Sequence, residues 1–105
     1  MLIKTTTLTC FLLATALSMG YLDSAVAAAN GSSLYNNHCS RCHGNDGSGG
    51  FMPGLPNFSR GEGLRSNNRS LIDRIQRGNN ACPSFRGIMS EIETLSLINH
   101  LRTLY

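Results

Sequence analysis

No part of this sequence alternates apolar and polar residues with a period of two, and no segment repeats. A sheet protein and a repeat array are both excluded. There is no βαβ pattern, so the one Cys-x-x-Cys pair has no thioredoxin-like setting. No second Cys-x-x-Cys and no His-x-x-x-His follows, so the four ligands of a structural zinc site cannot be assembled. From residue 28 onward the chain has no lysine, and eight arginines face five acids (Asp46, Glu62, Asp73, Glu91 and Glu93). That mild basicity suits an acidic protein partner or a small anion. It is too weak to point to nucleic acid or to a membrane surface.

The apolar run from Leu8 to Met19 is too short to span a bilayer. It follows a short n-region carrying Lys4 and precedes Ala25-Val26-Ala27, the small residues a signal peptidase reads. Residues 1–27 are therefore expected to be a cleaved signal peptide, and Cys10 leaves with it. The mature chain is expected to be residues 28–105, one small exported domain, periplasmic and without a membrane span. A chain this short buries a thin core and needs a staple.

Cys39-Ser40-Arg41-Cys42-His43 supplies one. Two cysteines two residues apart with histidine next is the attachment signature of haem c. The thiols of Cys39 and Cys42 add to the two vinyl groups, and one turn of helix sets them along one edge of the ring. His43 is then on the face that looks at the iron, as proximal ligand. One covalent haem c, with its iron, is the expected cofactor. Haem uses two of the three mature cysteines. Cys82 is the odd one, and an odd thiol in an oxidising compartment calls for a role.

The pattern along the chain is helical. Ser32 or Ser33 is expected to cap a helix from Leu34 to about Cys42, with Leu34 and Tyr35 packing toward the C-terminal end. His38 reads as an exposed helix-face residue. Residues 44–63, rich in Gly, Pro, Asn and Ser, read as a wrapping loop without elements. Its Phe51, Met52, Leu55 and Phe58 are candidates to line the haem edge. A carbonyl between Pro53 and Pro56 is a candidate acceptor for His43 Nδ1–H. Asn67 or Asn68 opens a short amphipathic helix with Leu71, Ile72 and Ile75 inward, Asp73, Arg74 and Arg77 outward, and Gly78 as its stop. Ser90 and Glu93 form a capping box. Ile92, Leu95, Ile98 and Leu101 then recur at helical spacing, with His100 packed among them.

These features resemble class I mono-haem c-type cytochromes over nearly the whole mature domain. Leu34-Tyr35, Cys39 to Gly44 and Asp46-Gly47-Ser48-Gly49 match that family's haem helix and the loop after it. Pro83-Ser84-Phe85 and Ser90 to Leu104 match its last loop and terminal helix. The resemblance implies a small all-α class I cytochrome c fold, with three or four helices around one haem. It also implies a one-electron carrier rather than an enzyme, with a periplasmic redox protein as partner.

The family's sixth iron ligand is usually a methionine in the last loop, ahead of a proline and a phenylalanine. Cys82 stands at the matching position in this sequence. The chain thus resembles a variant with Cys in place of the axial Met. A thiolate is anionic and favours ferric iron, so His43/Cys82 ligation implies a low potential. Ser84, Arg86 or nearby backbone N–H groups are candidates to hydrogen-bond the sulfur. Met52 and Met89 are the alternative distal ligands. Two other functions stay open at this point. One is a redox or NO/CO sensor in which Cys82 leaves the iron on reduction, and the other is redox chemistry of sulfur compounds at a Cys-ligated haem.

Overall fold

The computed structural model describes residues 30–50 and 52–105; the expected signal segment, with Cys10, and Phe51 lie outside them. Besides one 3₁₀ turn, four α-helices make up the described regular structure, and there is no strand among these residues. We label them α1 (30–38), α2 (Ser40–His43), α3 (Asn68–Arg77) and α4 (Glu91–Leu101). The expected all-α architecture is the observed one.

α1 is already helical at residues 30 and 31, so neither Ser32 nor Ser33 caps it. Gly31 lies where this helix meets α4. A Cβ on Gly31 would stand 2.2 Å from the Ser96 carbonyl oxygen, so α1 crosses α4 with backbone against backbone. Only a residue without a side chain permits that approach. The helix was expected to run unbroken to about Cys42. Instead it breaks at Cys39 (φ −122°, ψ −39°) and resumes as α2. Ser40 Oγ donates to the Asn36 carbonyl at 2.8 Å, a side-chain bond that competes with the helix's own ladder and bends it.

α3 follows its sequence pattern. Asn67 Oδ1 accepts the Ser70 N–H at 2.9 Å, and Gly78 N–H closes the end on the Arg74 carbonyl at 2.9 Å. Leu71 is buried and Ile72 and Ile75 are half-buried, while Asp73, Arg74 and Arg77 are exposed. α4 carries the full capping box: Glu93 N–H to Ser90 Oγ at 3.2 Å, and Ser90 N–H to Glu93 Oε2 at 2.8 Å.

The buried face of α4 differs from the expected stripe. Ile92 is 76% exposed, and the inward residues are Thr94, Leu97, Ile98 and Leu101. Two contacts select this face. Gln76 Nε2 donates to Thr94 Oγ1 at 2.6 Å and to the Met89 carbonyl at 2.9 Å, which ties α3 to the start of α4. The crossing at Gly31 turns Ser96 toward α1. The core then gathers Leu34, Tyr35, Leu64, Phe85, Met89, Leu97 and Leu101 from all parts of the chain. Leu34 and Tyr35 pack toward the C-terminal helix, as their positions suggested. Residues 44–63 are mostly loop but contain a 3₁₀ turn, Phe58–Arg60, which the sequence pattern did not indicate.

Candidate metal centre

α2 is one turn long and carries Cys42 and His43, with Cys39 at its N-cap. The His43 N–H donates to the Cys39 carbonyl at 2.9 Å, so the first cysteine and the histidine are linked through one helical turn. His43 is half-buried, and its ring stacks on Phe58 of the 3₁₀ turn, with centroids 4.5 Å apart and planes at 24°. The wrapping loop thus presses an aromatic face on the histidine and limits its rotation.

His43, Cys39 and Cys82 line one cavity of about 210 Å³. Its remaining wall is largely apolar: Leu55, Pro56 and Phe58 from the loop, Leu64, Leu71 and Ile75 from α3 and its approach, and Phe85, Leu97 and Leu101 beyond. Arg74 and Asn79 are polar members of the wall. Cys42 is exposed and outside it. Among the described residues no methionine lines this cavity. Met52 is half exposed, and Met89 is buried in the core cluster instead. Of the loop residues suggested for the haem edge, Leu55 and Phe58 line the cavity and Met52 does not. His38 is exposed and meets Phe85 edge-on, and His100 is packed against Tyr35.

The electrostatics follow from burial. His43 is held below the usual histidine range by desolvation, with the Pro56 carbonyl acting in the opposite direction. The ring is therefore neutral at pH 7 and has a lone pair to offer. Its Nδ1 is buried and makes no hydrogen bond of normal geometry, despite the influence of Pro56. The Cys39 thiol is pushed up to about 12, first by burial and then by the neighbouring Cys82 and Cys42. Cys82 is also raised by burial, with Arg74 pulling it down and Cys42 pushing it up. Burial thus favours the protonated form of the Cys39 and Cys82 thiols.

A neutral imidazole and two half-buried cysteines around an apolar cleft fit a flat apolar cofactor that carries a soft metal. The comparison with protein families agrees. The family model described as cytochrome c oxidase, cbb3-type, subunit III matches residues 26–101, well over half of the chain. The chain belongs to this family of c-type cytochromes. No curated protein and no solved structure gives a significant match. The cytochrome's cofactor is covalently bound haem c with its iron, and its role is electron transfer. Among the described residues of the cytochrome, no helix is long and apolar enough to cross a membrane.

Two polar residues of the cytochrome's cavity escaped the sequence reading. Arg74 was expected to face water. It is exposed, yet it also borders the cavity beside Cys82. Asn79 accepts the Cys82 N–H at 2.9 Å through Oδ1. An Asn three residues ahead of the cysteine is a turn signal that would have marked it. Conversely, the hydrogen bonds of Ser84 and Arg86 go elsewhere than the sulfur. Ser84 Oγ and Arg86 N–H both donate to the Gln76 carbonyl, at 2.7 and 3.2 Å.

Proposed function

We propose that this cytochrome is an exported, periplasmic one-electron carrier. In this reading residues 1–27 are a cleaved signal peptide and residues 28–105 the working domain. Cys39 and Cys42 hold the haem through thioethers, and His43 and Cys82 are its two axial ligands. The observation that supports this reading is the make-up of the cavity wall: a neutral histidine and one unattached sulfur border the same apolar space, without a described methionine. The haem supplies one-electron exchange between ferric and ferrous iron. Cys82, as thiolate, compensates charge best in the ferric state, so the couple is expected at low potential. The largely apolar wall borders both proposed axial side chains, and the Phe58 ring stacks on His43.

The family's description names an oxidase subunit. A redox protein is therefore the expected counterpart, and the arginine excess favours one with an acidic face.

The test is electron paramagnetic resonance of the ferric protein beside Cys82→Ser. A low-spin signal with the narrow g-spread of thiolate ligation, absent in the variant, is the expected result. A spectrum unchanged by the substitution would move the distal ligand to Met52, Met89 or water. Uptake of CO by the reduced protein would instead favour the sensing function.

A further inference from the structure

Asn79 holds Cys82 by both of its backbone polar groups. Asn79 Oδ1 accepts the N–H of Cys82 at 2.9 Å and that of Ala81 at 3.0 Å. The Asn79 N–H donates in return to the Cys82 carbonyl at 2.8 Å. One residue thus closes a small loop whose free group is the Cys82 side chain, and Asn79 itself borders the same cavity.

The loop is anchored at both ends. On one side Gly78 turns with φ 69°, and a Cβ there would stand 2.6 Å from the Cys82 carbonyl oxygen. Only glycine combines that backbone with that contact. On the other side Ser84 and Arg86 are tied to the Gln76 carbonyl at the end of α3. Pro83 biases Cys82 toward an extended backbone. Between these anchors, the Asn79 carboxamide is the side-chain group that closes the turn. Ser84 and Arg86, already engaged with Gln76, offer it no substitute.

We propose that Asn79 is the positioning residue for the axial sulfur, setting the reach and direction of Cys82 into the cavity. This inference rests on the reading of Cys82 as a ligand. Without the carboxamide, the Ala81 and Cys82 N–H groups lose their shared acceptor, and the loop samples several placements of the sulfur. Asn79 bonds backbone and not sulfur, so its effect appears as loss of a single ligand geometry.

The experiment uses ferric holoprotein of the native sequence, Asn79→Ala, Asn79→Asp and Cys82→Ser, with mass measurement of haem attachment and electron paramagnetic resonance. Native protein and Asn79→Asp, which keeps the Oδ acceptor, are expected to give one sharp thiolate-type signal. Asn79→Ala is expected to keep its covalent haem but lose most of that signal to broadened or high-spin species. Should Asn79→Ala not assemble, Asn79→Gln makes the same comparison, because its carboxamide sits one methylene too far away to close the turn. An Asn79→Ala or Asn79→Gln spectrum identical to native overturns the inference and leaves Cys82 as ligand. A native spectrum without a thiolate signal, unchanged in Cys82→Ser, overturns the ligand reading and the inference with it.

Discussion

The Tyr35 hydroxyl donates to the carbonyl of Gly44 at 2.6 Å, and so spans the whole Cys39–His43 segment. Tyr35 is fully buried in the core cluster, while Gly44 caps α2. One residue therefore fastens both ends of the attachment segment to the hydrophobic core: its hydroxyl holds Gly44, and its carbonyl accepts the Cys39 N–H at 2.9 Å. Replacing Tyr35 with Phe keeps the packing and removes the bond. The expected cost is about 1 kcal/mol in denaturant unfolding. The Tyr35 phenol is pushed up to about 12, mainly by burial. Its folded value lies above its unfolded one, so its contribution is complete below pH 10 and is lost as pH rises from 10 to about 12. Stability measured across that window should fall more steeply in the native protein than in Tyr35→Phe.

The crossing of α1 and α4 at Gly31 allows little accommodation. A methyl group there meets the Ser96 backbone, at 2.2 Å from its oxygen and 2.7 Å from its carbonyl carbon. Helix propensity alone would make Gly31→Ala stabilising. Overpacking is expected to win, with a net loss of about 1–3 kcal/mol. A thermal melt of the holoprotein decides it: a Tm equal to or above the native value would mean that the helices part without cost.

Ser90→Ala removes the acceptor for the Glu93 N–H and a donor to Glu93 Oε2. A lost N-cap of this kind costs about 1 kcal/mol. The Glu93 carboxyl is held below its usual range by its bonds to Ser90. Its contribution is therefore present above the unfolded value and lost as pH falls through the folded one. Acid unfolding of Ser90→Ala should begin at higher pH than in the native protein, as followed by far-UV circular dichroism.

Cys82→Met restores the ligand usual in class I c-type cytochromes. The midpoint potential is expected to rise by a substantial part of the about 0.8 V that axial ligands span. Potentiometric titration of both proteins gives the answer. Equal potentials would mean that Cys82 does not act on the iron.

Much of this protein was legible in the linear chain because local chemistry determines it. Cys39, Cys42 and His43 carry their spacing with them, Asn67 and Gly78 bound α3, and Ser90 with Glu93 opens α4, all through contacts a few residues apart. The sequence also singled out Cys82 as the odd sulfur. What only the tertiary structure decided involves partners far apart in the chain. Gly31 meets Ser96, and that crossing, with Gln76 on Thr94, rotates α4 until Ile92 faces solvent. Phe58 stacks on His43 across the wrapping loop, and Arg74 borders the cavity although its helix face reads as exposed. Helical periodicity gives the width of an apolar face but not which neighbour it meets. Contacts between distant segments supply that last choice.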